Sequence, residues 1–409
     1  MTTHQTVALL LDLAFIIGLA IVFGGLARAI GQPAVIGEIA AGIIVGPTIG
    51  HGVISRNLFP MDVRPMLSAM ATVGVALFMF GIGTDMDHGL IRRRAGRTVS
   101  IAVAAVVLPF VLGGTLALTL PSGGNRAAFV VMLGVAMSVT AFPVLARVIA
   151  ENGLQTTSVG AQALASAAVG DALAWVGLAV AATLAASGGG QWKALLLPVL
   201  FGLLMLARPG IRALLLRSTD GYRLALVLVG VLVCSAATDW IGFDVIFGAF
   251  IFGLAVPRDV LPLLPLSVTA PIEQLTGKLL LPIFFVAAGL QVKLTFSWGL
   301  LGELAAVLAV AVGGKVIGTY VAARLSGLGP RQCGALAVLM NTRGLTELII
   351  LGAGLKLGLL SDRLYSLMVV MAVLTTAAAG PLLRVVYPRA VMEHDRLVRE
   401  PVREDVLSA

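Results

Sequence analysis

Asn341-Thr342-Arg343-Gly344-Leu345-Thr346-Glu347 lies inside an otherwise apolar run from 332 to 355. A cation, a carboxylate, three polar side chains and a glycine within seven residues do not continue a simple apolar helix. A charge at the centre of a membrane-spanning helix costs about 2.5 to 3.5 kcal/mol, so such groups face a bundle interior or a water-filled cavity. The stretch therefore predicts a helix broken at mid-depth, whose half-helix ends compensate the charges beside them. Arg343 and Glu347 are four residues apart, on one helix face, and read as partners that stabilise the break. A second interruption, Ser138-Val139-Thr140-Ala141-Phe142-Pro143, places a proline inside another apolar run and frees a backbone carbonyl. A plain proline kink is the alternative there.

Composition supports a membrane setting for both breaks. Hydrophobic residues make up 59% of the 409 and charged residues 12%, against about 25% charged in soluble domains, and the mean hydropathy is +1.03. Apolar stretches of about 20 residues fit helices crossing a bilayer, whereas barrel strands would alternate over about ten. The fold class is thus an all-α polytopic membrane protein. Spans are predicted at 7–29, 34–50, 66–84, 98–120, 127–149, 158–186, 192–207, 222–238, 243–256, 271–292, 298–323, 332–355 and 364–386, thirteen in all. With the N-terminus outside, eighteen Lys and Arg fall on the cytoplasmic side and seven opposite. That asymmetry orients the C-terminus inward and accounts for the formal charge of +8 without nucleic acid.

The N-terminus lacks a basic region before its apolar segment, so no removed signal peptide is expected. Residues 1–389 read as one transmembrane domain and 390–409 as a short, charged cytoplasmic tail. Cys234 and Cys333 show no pairing or metal spacing. No histidine lies deep in a span, and neither a phosphate-binding loop nor a nucleophile elbow is present, so an enzyme is not expected and no cofactor is implied.

Leu77-Phe-Met-Phe-Gly-Ile-Gly83 resembles Ile283-Phe-Phe-Val-Ala-Ala-Gly289, and Gly42-Ile-Ile-Val-Gly46-Pro47 has a looser counterpart in Ala249-Phe-Ile-Phe-Gly253 followed by Pro257. The members of each pair lie seven spans apart, an odd number, so equivalent helices run in opposite directions, as in an inverted-topology repeat. Chance likeness between apolar segments is the alternative.

Asp171, in Ser166-Ala-Ala-Val-Gly-Asp-Ala-Leu-Ala-Trp175, is the deepest carboxylate. Its burial is least costly if it alternates between a protonated and a cation-bound form, so proton and cation would compete for one group. A permanently hydrogen-bonded packing role is the alternative. Lys315, buried in the eleventh span, needs a partner: Asp171 by a salt bridge that opens, or the carbonyls of a helix end. Glu38 and Glu273 read as offsets to helix dipoles; Asp12, Asp244 and Glu303 have no assigned role.

Together these stretches resemble the monovalent cation/proton antiporters of the second of two large families, which includes Kef potassium-efflux transporters, NapA-type exchangers and plant cation/proton exchangers. The matching residues are Gly37-Glu-Ile-Ala-Ala-Gly-Ile-Ile-Val-Gly-Pro47, Thr140-Ala-Phe-Pro-Val-Leu-Ala-Arg147, the segment around Asp171, Leu281-Pro-Ile-Phe-Phe-Val-Ala-Ala-Gly-Leu290, Gly314-Lys315 and Asn341 to Glu347. The resemblance implies a fold of the NhaA/NapA type: thirteen helices with an inverted repeat, the fifth and twelfth crossing at unwound centres, and interleaved dimer-domain and core-domain helices forming a homodimer. It places the ion and proton site, the seat of the monovalent cation, at Asp171, with Thr140 on the unwound segment and Lys315 beside them; Pro143, Asn341, Arg343 and Glu347 support the crossing. It implies alternating access in the cytoplasmic membrane.

The sequence departs from this pattern just before Asp171. Relatives carry aspartate, glutamine or asparagine there; this chain has Gly170. The missing carboxylate favours electroneutral exchange of K⁺ or Na⁺ for H⁺, and the missing side chain keeps open the export of an organic cation or a metal-ionophore complex. A channel or non-transporting sensor is a third reading. Gating by a Kef-type nucleotide-sensing domain is not expected.

Overall fold

The computed structural model describes residues 3–47, 59–60, 62–85, 95–121, 124–154, 157–185, 196–241, 243–257, 274–293, 298–388 and 391–392. Among them are α1 (Thr3–Ala29), α2 (Ala34–Val45), α3 (Arg64–Asp85), α4 (Ala95–Thr119), α5 (Arg126–Ser138), α6 (Phe142–Glu151), α7 (Ser158–Ala185), α8 (Leu196–Arg217), α9 (Asp220–Ile241) and α10 (Val245–Ala255). A π turn (Thr276–Leu280) leads into α11 (Leu281–Leu290), followed by α12 (Trp298–Leu325), α13 (Pro330–Met340), α14 (Leu345–Lys356) and α15 (Asp362–Val386).

Each of the thirteen predicted spans holds a helix, and the fifth and twelfth hold two. Among the described residues, eight helices are long and apolar enough to cross a bilayer alone, and α13 with α14, bent by 43°, makes a ninth; α2, α5, α10 and the Thr276–Leu290 segment are apolar but shorter. The seventh span differs most from expectation. Helix α8 continues to Arg217 through Pro209, because Arg208 does not end it: its Nε donates to the Ala255 carbonyl at 3.2 Å. Glu273 and residues 393–409 of the expected tail lie outside the described residues.

The helices sort into two bundles. In one, α2 packs on α1 and α11, and α3 on α10 and α11, with α8 and α9 beside α10; in the other, α4, α5, α6, α7, α12, α13, α14 and α15 pack on one another. Between bundles, α2 meets α15 and α11 meets α14 over short stretches. One tie there is a consequence of proline. Pro381 inside α15 has no N–H to give the carbonyl of Ala377, and Gln32 Nε2 donates to it instead at 3.0 Å.

Glycines set the closest crossings, and they come in matching sets. A Cβ on Gly37 would strike the Phe23 carbonyl of α1, and one on Gly248 the Cys234 carbonyl of α9. Five residues further along each helix, Gly42 meets Gly289 of α11, and Gly253 meets Gly83 of α3. Thus α1–α2–α11 and α9–α10–α3 repeat one arrangement with partners exchanged between halves. Gly83 and Gly289 occupy equivalent places as the sequence suggested. Gly253 takes the role of Gly42 rather than of Gly46, one helical turn from the register read in the sequence, because backbone approach and not the Gly-Pro pair defines the equivalence.

Candidate functional site

Asn125 sets the depth of the site. Its Oδ1 caps α5, accepting from Ala127 N at 2.9 Å and Ala128 N at 3.2 Å, while its Nδ2 donates to the Leu184 carbonyl near the end of α7 at 2.9 Å. Helices α5 and α7 therefore run antiparallel from a common level. Ser138 ends α5 thirteen residues after Asn125, and Asp171 stands thirteen before Leu184, so with equal rise per residue the two lie at one depth.

There α5 stops. Val139 is extended, Thr140 and Ala141 belong to neither helix, and α6 restarts at Phe142 with Pro143 as its second residue, a position where the missing N–H costs nothing. Pro143 thus belongs to a true break rather than to a kink in a continuous helix. Helix α13 stops likewise at Met340, and α14 restarts at Leu345. The two breaks cross and hydrogen-bond: Thr140 Oγ1 donates to the Met340 carbonyl at 2.8 Å and Ala141 N to the Thr342 carbonyl at 3.1 Å.

A helix that ends in the bilayer leaves carbonyls without donors. Two fully buried cations supply them for α5. Arg343 donates through Nη1 to Ala136 O at 2.9 Å and through Nη2 to Met137 O at 2.7 Å. Lys315 Nζ donates to the Ser138 carbonyl and to Thr140 Oγ1 at 2.6 Å. Glu347 Oε1 balances Arg343 at 3.0 Å. Thr376 of α15 clasps the Arg343 peptide, its Oγ1 accepting from the N–H at 2.8 Å and donating to the carbonyl at 2.6 Å. Lys315 reaches this place because Gly314 lets α12 approach the backbone of Pro109 in α4.

Asp171 is 2% exposed, and neither carboxylate oxygen has a hydrogen-bond partner among the described residues. The Lys315 side chain and the Phe142 backbone N–H at the start of α6 lie within electrostatic reach of it without meeting hydrogen-bond geometry. The salt bridge that sequence allowed between Lys315 and Asp171 is not formed. Lys315 takes the alternative, helix-end carbonyls, because the orphaned Ser138 carbonyl is the nearer acceptor. Thr140 accepts from Lys315 and donates to Met340, which leaves its oxygen one lone pair. Asn341 Oδ1, Thr346 Oγ1 and Glu347 Oε2 are buried without partners among the described residues. Thr376 is the site residue that sequence reading missed; a threonine in an apolar helix carries no signal of a partner 33 residues away.

This arrangement places an unpaired carboxylate before two crossing helix breaks whose ends are already neutralised. Residues 15–387 match the family model described as sodium/hydrogen exchanger, transmembrane.

The chain belongs to the sodium/hydrogen exchanger family.

Within it, the chain is 35% identical over 413 residues to Na(+)/H(+) antiporter NhaS4 of Synechocystis, a match covering 95% of this chain and 99% of that protein. It is 36% identical over 423 residues to Cation/H(+) antiporter 20 of Arabidopsis thaliana, covering 95% of this chain and 49% of that protein, and 32% identical over 386 residues to K(+)/H(+) antiporter 1 of Saccharomyces cerevisiae, covering 87% and 44%. The chain spans about half the length of these plant and yeast relatives. The solved structure of the sodium proton antiporter MjNhaP1 from Methanocaldococcus jannaschii shares the fold, with a TM-score of 0.69, coverage of 96% and 99%, and 14% identity. This exchanger-family fold is the setting in which Asp171 has to be read.

Proposed function

We propose that this chain is a secondary antiporter that exchanges a monovalent cation, K⁺ or Na⁺, for H⁺, and that the two compete for Asp171. The observation that carries the reading is the buried carboxylate, neither oxygen of which has a hydrogen-bond partner among the described residues, while Lys315, within electrostatic reach of it, is engaged by the Ser138 carbonyl and Thr140. A packing carboxylate would take that lysine as its partner. One that must release its occupant is better left with the weaker compensation of a cation bonded elsewhere. The names of the relatives add support, since they are called Na(+)/H(+), K(+)/H(+) and cation/H(+) antiporters.

The transport cycle is alternating access in the cytoplasmic membrane, N-terminus outside and C-terminus cytoplasmic, with a homodimer as the working unit. The bundle of α4–α7 and α12–α15 is the moving core that carries Asp171, and the bundle of α1–α3 and α8–α11 is the dimer domain. With Gly170 in place of a second carboxylate, one cation for one proton gives electroneutral exchange.

A second reading, export of an organic cation or metal-ionophore complex, is favoured by one observation. Among the described residues a Cβ at position 170 would meet only Val106 Cγ2, at an ordinary 3.6 Å, so packing does not require glycine next to Asp171.

The test is purified protein in liposomes under an imposed pH gradient, followed by a pH-sensitive dye as K⁺, Na⁺ and Li⁺ are added in turn. Dye recovery with one cation, lost in Asp171→Asn, is the expected result and names the ion. No recovery in folded protein turns the reading to the organic substrate, and recovery retained in Asp171→Asn removes Asp171 from the mechanism.

A further inference from the structure

Two cavities open between the bundles on the face where α14 ends. One, of about 270 Å³, is lined by Arg64, Ser68, Asp244, Gln291, Ile349 and Lys356 among others. The other, of about 190 Å³, is lined by Leu178 and Ala182 of α7, by Asp239, Phe243, Asp244 and Phe247, and by Ala353, Lys356 and Leu357. They share the Asp244–Lys356 ion pair, 3.2 Å long, which bridges the bundles at their common mouth. Asp171 lines neither cavity.

What lies between is aromatic. Leu178 and Ala182 are two and three turns beyond Asp171 on α7, and Trp175 stands on the turn between. Trp175 meets Phe247 edge-on at 6.1 Å and Phe250 at 6.4 Å, and Phe247 stacks edge-on against Phe243 at 5.6 Å. Trp175, Phe247 and Phe250 are all buried, at 3%, 5% and 9% exposure. Phe247 also forms a wall of the smaller cavity. Along α7 these rings stand between the residues that line the smaller cavity and the turn that carries Asp171.

We propose that Trp175, Phe247 and Phe250 form a gate that seals Asp171 from the face bearing Asp244 and Lys356. Trp175 belongs to the bundle that carries Asp171 and both phenylalanines to the other, so relative motion of the bundles parts the rings without unfolding either helix. A dry aromatic contact excludes a hydrated cation by shape and by the cost of dehydration, and needs no charge of its own. One polar atom favours reversibility: the Trp175 Nε1–H is buried without a partner among the described residues. Water entering an opened seam gives it an acceptor, which offsets part of the loss of ring contact. The inference rests on the reading of Asp171 as the ion site, since a gate is defined by what it guards.

Accessibility tests the gate separately from transport. Asp171→Cys is placed in a background carrying Cys234→Ala and Cys333→Ala, and is labelled with a membrane-impermeant, quaternary-ammonium methanethiosulfonate. Right-side-out and inverted vesicles expose the two faces in turn. With the rings intact, labelling from the Asp244 face is slow; Phe247→Ala is expected to speed it by about tenfold or more through a shift in gate opening, with the rate from the opposite face unchanged. Phe250→Leu, a milder change, gives a smaller acceleration from the same face and serves if Phe247→Ala does not fold. Labelling from the Asp244 face that is already fast with the rings intact, or unchanged in both variants, overturns the gate. Such a result leaves the exchange assay with Asp171→Asn untouched, whereas exchange surviving in Asp171→Asn removes the ion-site reading and not the accessibility result.

Discussion

Arg343 is the largest side chain buried to 0% exposure, and it answers to three acceptors: the carbonyls of Ala136 and Met137 and the Glu347 carboxylate. Truncation strands all three at a fully buried position. Arg343→Met is therefore expected to destabilise the protein by about 3–5 kcal/mol, the cost of breaking a buried pair from one side. Denaturant unfolding in detergent measures this, and a loss below about 1 kcal/mol would contradict the assigned role. Adding Glu347→Leu removes the uncompensated carboxylate, so the double variant should be the more stable of the two. Gly170 makes the opposite case. With only Val106 Cγ2 in reach of an added Cβ, Gly170→Ala should fold normally and gain up to about 1 kcal/mol of helix propensity. A polar Gly170→Asn should fold too while changing the order in which cations are accepted in the liposome assay. Unfolding of either variant would show that glycine is needed for packing after all.

Elements in this fold meet through backbone, and glycine decides where. Gly83 and Gly81 lie two residues apart on α3, yet a Cβ on Gly83 would stand 3.0 Å from Gly253 Cα while one on Gly81 meets nothing within 4 Å. Gly83→Ala is expected to cost about 1–3 kcal/mol as an overpacked crossing, and Gly81→Ala to be neutral or stabilising. Thermal unfolding of the two variants side by side makes the comparison, and equal effects would refute the crossing argument. The same logic explains the broken helices. Their ends stay in the bilayer because each end finds a donor or acceptor on another element: Lys315 from α12, Arg343 from the opposite break, Thr376 from α15. Apolar periodicity predicts where helices run, and it made each broken span legible as a span. The identity of each end's partner was not legible, because those bonds join residues up to 207 positions apart.

At the scale of the whole molecule, two bundles face each other across a seam. Gln32 holds the Ala377 carbonyl near one face. At the other Lys356 holds Asp244, and beside the end of α11 Lys293 pairs with Asp362 and Tyr365 Oη donates to the Ala288 carbonyl. If the bundles move against each other during exchange, joining them covalently at the Asp244–Lys356 pair should stop transport. Asp244→Cys with Lys356→Cys, in the background lacking Cys234 and Cys333, is expected to exchange cations until a short bifunctional thiol reagent bridges the pair, and to recover when the bridge is reversed. Undiminished exchange with the bridge in place would refute the moving-bundle cycle.

The amino-acid sequence by itself determined the membrane class, the all-helical fold and the isolation of Asp171 among apolar neighbours, and it suggested the repeat. Those properties follow from composition, period and charge, which are local and add along a chain. It also narrowed Lys315 to two partners without choosing between them. Only the tertiary structure decided that choice, gave Thr140 its two bonds, moved the repeat by a helical turn and set Trp175 against Phe247 and Phe250. Each of these depends on which backbone ends are left without partners once helices distant in sequence have packed, and a linear pattern carries no record of that.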